Sequence, residues 1–189
     1  MAVTSEMLPL GTAAPGFTLP DPSGTEYSLG QVADGAKGLL VMFLCNHCPY
    51  VKHIAPKLAQ LTTVFQEHGI AAVAISSNDI DAYPDDAPER MAEEIVERGY
   101  TFPYLYDESQ DVARAYHAAC TPDFFLFDAD RHLVYRGQFD ESRPANDARV
   151  TGRHLHEAVH AVLEGRPVDV DQRPSMGCGI KWKPGTEPR

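Results

Sequence analysis

Cys45-Asn46-His47-Cys48-Pro49-Tyr50-Val51-Lys52-His53-Ile54-Ala55-Pro56 is the stretch on which the reading of this chain turns. An unbroken apolar run, Gly38 to Leu44, leads into it, as a central strand covered on both faces requires. The residues after it place Val51, Ile54, Ala55, Leu58, Leu61 and Phe65 at helical spacing. Pro49 suits a first helical turn, Pro56 is expected to kink the helix, and Gly69 to end it. Cys48 therefore stands where a strand hands over to a helix. A cysteine at a helix N-terminus meets unpaired backbone N–H groups and the positive end of the helix dipole. Both favour thiolate over thiol and pull the pKa down from about 8.5. Thiolate is the nucleophile of disulfide exchange, so this position predicts a reactive sulfur.

Outward from that junction the chain alternates strand and helix patterns. Ala14 to Asp21 alternates apolar and polar residues, turns at Asp21-Pro22-Ser23-Gly24 and resumes over Thr25 to Tyr27, which predicts a β-hairpin. Ile70 to Ile75 reads as a strand, Ser76 to Asp86 as a polar loop, and Pro88 to Arg98 as an acidic helix. The Asp and Glu residues between Asp79 and Glu97 read as a solvated surface. Tyr104 to Tyr106 is a short strand, and Ser109 to His117 a short helix with Ser109 as N-cap. Phe124 to Phe127 and Leu133 to Tyr135 flank a tight turn and predict an antiparallel hairpin. Thr151 to Glu164 is a final helix. The fold class is thus α/β: a mixed central sheet flanked by helices, with an N-terminal hairpin extension and a C-terminal tail. We divide the chain into one domain over residues 1–167 and a tail over 168–189. Cys178, Ile180 and Trp182 suggest that the tail docks on the same domain.

The 189 residues carry a net charge of −11 and no basic cluster, which argues against a nucleic-acid surface. No apolar run approaches the roughly 18 residues needed to span a bilayer, and no secretory leader pattern opens the sequence. The expectation is a cytoplasmic protein with neither a membrane nor a nucleic-acid partner. Four cysteines, Cys45, Cys48, Cys120 and Cys178, are too few for a disulfide scaffold. In a reducing compartment they are buried small residues or reactive ones.

Three motifs resemble one superfamily. Cys48-Pro49-Tyr50-Val51-Lys52-His53-Ile54-Ala55-Pro56 resembles the active-site helix of the thioredoxin fold. Thr121-Pro122-Asp123-Phe124 resembles its cis-proline segment, and Ala14-Pro15-x-Phe17-x-Leu19-x-Asp21-x-x-Gly24 resembles the AhpC/TSA (redoxin) and TlpA-like branch. The resemblance covers most of residues 8 to 165. It implies a thiol-disulfide oxidoreductase in which Cys48 attacks a disulfide or peroxide. Thr121 and cis-Pro122 would then offer a backbone edge to an extended substrate. The thioredoxin pattern puts its resolving cysteine at position 51, which is Val51 here. Cys45, Cys120 and Cys178 are the candidate resolving partners. Cys45-Asn46-His47-Cys48 is itself a Cys-x-x-Cys, so a second register makes Cys45 the nucleophile and Cys48 its resolver. Relative to peroxiredoxins, Cys45 stands where their active-site Thr would be, and Pro122 lies where an Arg is expected. A dedicated peroxidase is therefore the weaker reading.

Other outcomes carry their own features. Cys120 and Cys178 also read as packing residues, His47 and His53 as solvent-facing neighbours of the thiol, and His154, His156 and His160 as a polar helix face. Cys45-x-x-Cys48-Pro49 with an imidazole loosely resembles the Sco copper chaperones, which implies Cu(I) or Zn(II) binding as an alternative. A redox-inert binding module on the same fold is the other. The leading reading requires no cofactor and no resident metal. Its partners are a thiol or disulfide protein or a small peroxide, with the reductant open. Thioredoxin-fold peroxidases often pair, which leaves a homodimer open as well.

Overall fold

A computed structural model describes residues 2–188. In chain order the elements are β1 (Ala2–Thr4), β2 (Thr18–Pro20), β3 (Glu26–Ser28), α1 (Leu29–Val32), β4 (Gly38–Phe43), α2 (Pro49–Glu67), β5 (Ile70–Ser76) and α3 (Pro88–Arg98). They continue with β6 (Tyr104–Tyr106), α4 (Asp111–Ala115), β7 (Cys120–Thr121), β8 (Asp123–Asp128), β9 (Leu133–Gly137), α5 (Arg153–Leu163) and β10 (Met176–Gly179).

The central sheet has the order β6-β5-β4-β8-β9. β4 runs parallel to β5 and antiparallel to β8, so the sheet is mixed. Every residue of β4 is buried, because both faces of the strand are covered. Leu40 and Met42 face the cluster that includes Val51, Ile54 and Leu58 of α2 and Leu155 and Val159 of α5. Leu39, Val41 and Phe43 face the opposite cluster, with Val112 and Ala113 of α4, Tyr116 and the N-terminal Leu8 and Phe17. Each such side chain contributes about 1.5–3 kcal/mol by leaving water, which makes this strand the spine of the fold. Tyr116 packs at 5.6 Å from Phe43 and 5.7 Å from Phe125, in tilted and edge-on geometries.

Several expectations shift by a few residues for identifiable reasons. The N-terminal hairpin is β2–β3, shorter than the alternating stretch, and Ala13 instead bridges His132. α2 runs from Pro49 to Glu67 as one helix with Pro56 inside it, where a kink was expected. Ser109 is not the N-cap of α4. That position belongs to Gln110, whose side chain turns inward to Ser77 O and Lys181 O, while Ser109 Oγ accepts from Asp111 N–H. α5 begins at Arg153, after Gly152 at φ +67°, and not at Thr151.

The tail folds back over the domain. β10 pairs antiparallel with β7 on one edge and with β1 on the other, forming a second sheet, β1-β10-β7. Ser175 anchors one end: its N–H donates to Ser5 Oγ (2.9 Å) and its hydroxyl to Gly137 O (2.6 Å). Lys181 anchors the other, with its N–H on Asn78 Oδ1 (2.8 Å) and its carbonyl accepting from Asp79 N–H (2.8 Å). Trp182 packs against the core cluster on that side, with the Arg114 guanidinium 5.7 Å above its ring.

Candidate functional site

The end of β4 and the start of α2 meet β7 and β10 in one place. Cys48 is the N-cap of α2 and makes no side-chain cap bond. Its Sγ is therefore free to turn toward the Thr121–Pro122 segment, whose peptide bond is cis. The Cys48 thiol donates to Thr121 O at 3.2 Å. Cys178 Sγ lies 2.9 Å from Cys48 Sγ, well inside bridging reach. The Cys45 thiol and the Thr121 hydroxyl are 3.2 Å apart. Cys48 is fully buried, whereas Cys178 is half-buried.

As a thiolate, Cys48 is held by donors from several directions. The Cys45 thiol contributes most, opposed by burial, followed by the Cys178 thiol and the Val51 and Cys178 backbone N–H groups. Together they bring its pKa down to about 5. The partners move the other way. Cys45 is raised well above the ordinary thiol range because it keeps its proton to donate a hydrogen bond to Cys48, because it is buried and because Asp86 lies near. Cys178 is pushed up to about 12, first by burial and then by its bond and proximity to Cys48. One anion is thus shared among three sulfurs and rests on Cys48. This favours the register in which Cys48 is the nucleophile.

Cys120 is not part of this arrangement. It is fully buried, among the described residues its thiol reaches only Pro122 O at 3.9 Å, and burial raises its pKa above the ordinary range. Its reading as a packing residue is the one the geometry fits.

The loop carrying Cys45 and Cys48 is fixed by a residue that the sequence assigned to a solvated surface. Asp86 is completely buried, in a short 3-10 turn over Pro84–Asp86. Its Oδ1 accepts from Asn46 N–H (2.8 Å) and His47 N–H (3.2 Å). Its Oδ2 bonds His47 Nδ1 (2.6 Å) and accepts from Asn78 Nδ2 (2.7 Å). A buried carboxylate needs such donors to offset its lost hydration. Asn78 then connects this knot to the tail through Lys181 N–H. His47 is stacked on Tyr83 at 5.6 Å and tied to Asp86, so it is a fixed, partly exposed part of the loop and not the free solvent-facing side chain expected. His53 also turns inward, with its Nε2 buried and, among the described residues, without a hydrogen-bond partner. His154 bonds Gln138, and His160 pairs with Glu164 on the surface of α5. The polar loop from Ser76 to Ala87 serves to brace the nucleophile; its only sequence signal is its length.

Cys45, His47 and Asp86 bring their ligating atoms within 4.8 Å of one another. Both oxygens of Asp86 are already bonded to donors, and a cation there would have to displace the His47 and Asn78 bonds. This donor set fits a structural knot better than a metal centre.

The profile of the AhpC/TSA family matches residues 10–136. The thiol-disulfide oxidoreductase ResA of Geobacillus kaustophilus is 28% identical over 120 residues, a match that spans 63% of this chain and 63% of that protein. A crystal structure of an uncharacterized conserved protein from Geobacillus kaustophilus is 51% identical, with 98% of each chain covered and a TM-score of 0.95. The thioredoxin domain of a thiol-disulfide oxidoreductase from Bacteroides vulgatus superposes with a TM-score of 0.58 at 23% identity, over 72% of this chain and 91% of that one. The mixed sheet with its flanking helices is therefore a thioredoxin fold.

Proposed function

The chain belongs to the AhpC/TSA family, and from that premise we propose that it is a thiol-disulfide oxidoreductase whose attacking group is the Cys48 thiolate. The observation that carries this reading is the placement of Cys48 at the start of α2, against the cis Thr121–Pro122 segment and 2.9 Å from Cys178 Sγ, a setting whose donors bring its pKa down to about 5. At neutral pH such a sulfur is almost wholly ionised. It therefore attacks one sulfur of a substrate disulfide, and the other leaves as thiolate. Peroxide is the second electrophile the site admits: attack on one oxygen breaks the O–O bond, makes Cys48 a sulfenic acid and releases the other oxygen as water, and a thiol then condenses the sulfenic acid to a disulfide with loss of a second water. The disulfide substrate is the stronger reading, because Cys45 and Pro122 stand where a dedicated peroxidase is expected to carry Thr and Arg. A reducing compartment such as the cytoplasm, where reactive thiols are kept reduced, is part of the proposal.

The low Cys48 pKa also weighs against a redox-inert module. The test is reduction of insulin disulfides and consumption of hydrogen peroxide by the wild type and by Cys48→Ser. The variant should lose at least one of these activities entirely. A Cys48→Ser protein as active as the wild type in both would end the proposal.

A further inference from the structure

In general, an extended peptide binds by adding itself to an exposed sheet edge, with main-chain hydrogen bonds for affinity and side chains for selection. The Thr121 edge beside Cys48 is such a place, and here it is filled. β10 lies along it with Cys178 opposite Thr121 and Gly179 opposite Cys120. The fit is close: a Cβ on Gly177 would come within 1.9 Å of Thr121 O, so only glycine allows the strand to lie this flat. Ser175 and Lys181 fasten both ends of the strand. The sulfur delivered to Cys48 is therefore presented in the manner of a bound substrate, from the chain's own tail.

The two sulfurs differ in access. Cys48 is fully buried beneath the tail strand, so an external disulfide reaches it only when β10 lifts, whereas Cys178 is half-buried at the surface. They also differ as leaving groups, since in thiol–disulfide exchange the thiol of lower pKa leaves faster.

We propose that Cys178 is the second redox-active residue, that it closes a reversible disulfide with Cys48, and that an external dithiol reductant enters at Cys178. This rests on the reading of Cys48 as nucleophile. In the oxidative half, Cys48 thiolate attacks a disulfide RSSR and RS− leaves, forming the Cys48–SR mixed disulfide. The Cys178 sulfur then attacks Cys48 Sγ and displaces the second RS−. The Cys178 proton passes to a departing thiolate. The Cys48 thiolate and the Cys178 thiol have then been oxidised to one disulfide, and one RSSR has been reduced to RS− and RSH. In the reductive half, a thiolate of the external dithiol attacks Cys178 Sγ, and Cys48 leaves as thiolate. The second thiol of the reductant then attacks its own sulfur in that mixed disulfide and releases Cys178. Cys45 stays reduced throughout, as the donor that steadies the Cys48 anion.

The experiment treats the reduced full-length chain with a small aromatic disulfide and counts released aromatic thiolate. The wild type and Cys45→Ser should each release two equivalents, and peptide mapping should locate a Cys48–Cys178 bridge. Cys178→Ser should release one, with the aromatic adduct left on Cys48. Gly177→Val retains all four thiols but blocks docking, and should slow the second release at least tenfold while leaving the first intact. In the reverse direction, a monothiol variant of a dithiol reductant should be trapped on Cys178 and not on Cys48. Two equivalents from Cys178→Ser, a mapped Cys45–Cys48 bridge, an unchanged second release in Gly177→Val, or a trap on Cys48 each overturns the inference while leaving Cys48 as nucleophile. Full release by Cys48→Ser would instead overturn the function on which it rests.

Discussion

Cys178 stands directly opposite Thr121 in antiparallel register, and the carbonyl of the same Thr121 accepts from Cys48 at 3.2 Å. One backbone position therefore sets both sulfurs, one through strand pairing and the other through a hydrogen bond that the neutral Cys48 thiol donates and the thiolate gives up. The chemistry of the site depends on how the anion is held there.

The Cys45 thiol is the largest contributor to the low pKa of Cys48. A hydrogen bond to a charged group is worth about 1.5–3 kcal/mol, which corresponds to about one to two pKa units. Cys45→Ala should raise the Cys48 pKa by that amount, whereas Cys45→Ser, which retains a donor, should keep it low. The measurement is the pH dependence of Cys48 alkylation by iodoacetamide. Equal profiles for the wild type and Cys45→Ala would show that the donor is elsewhere.

Stability of the reduced protein should carry the signature of the same anion. Cys48 titrates near 5 in the folded chain, below the ordinary thiol value of about 8.5 in the unfolded one. Between these values the unfolded state binds more protons, so the Cys48 contribution grows with pH, is complete above about 8.5 and is lost as pH falls through about 5. Cys178, raised to about 12, runs oppositely: its contribution is full below about 8.5 and is lost as pH rises toward 12. Urea unfolding under reducing conditions should show the wild type gaining on Cys48→Ser between pH 5.5 and 8.5. A gap that stays constant across that range contradicts the assignment.

Asp86 should be structural and costly to remove. Asp86→Ala strands the Asn46 and His47 N–H groups, the His47 ring and the Asn78 amide in a buried setting. A buried donor left unsatisfied costs about 1–3 kcal/mol, and with partial relaxation a loss of about 3 kcal/mol is expected. Asp86→Asn retains one acceptor and should lose less. Denaturant midpoints of the two variants check the order, and identical midpoints would refute it.

Gly152 supplies a control away from the sulfurs. Its φ is +67°, and a Cβ there would lie 2.4 Å from Leu61 Cδ1 and 2.6 Å from Phe139 Cζ. Gly152→Ala combines left-handed backbone strain with overpacking and should destabilise by about 2–4 kcal/mol. The initial rate of Cys48 alkylation in the folded protein should not change. A variant of wild-type stability would mean that α5 can shift to make room.

The parts of the fold legible in the sequence are those whose signal is local. β4 announces itself by an unbroken apolar run, α2 by helical spacing after Cys48-Pro49, and the β8–β9 hairpin by its tight turn. The same junction marks Cys48 and Cys45, whereas Thr121 and Pro122 stand out through their resemblance to the thioredoxin cis-proline segment. The remainder of the site depends on contacts distant in sequence. Met176–Gly179 carries two glycines and no branched side chain, so nothing local marks it as a strand. It is a strand because Thr121 on one side and the N-terminal β1 on the other pair with it. Asp86 sits in a run of acidic residues that reads as surface. Its burial follows from donors at Asn46 and His47, about 40 positions upstream. Gln110 displaces Ser109 as the cap of α4 because its amide is drawn to Lys181, in the tail.

Trp182, beneath the Arg114 guanidinium, is the only tryptophan in the chain. All indole emission of this protein therefore originates a few residues beyond Cys178, at a site shielded by a cation on one side and the core on the other. The molecule carries its own optical gauge of the tail: departure of that segment wets the ring and moves its light to longer wavelength, with no label attached.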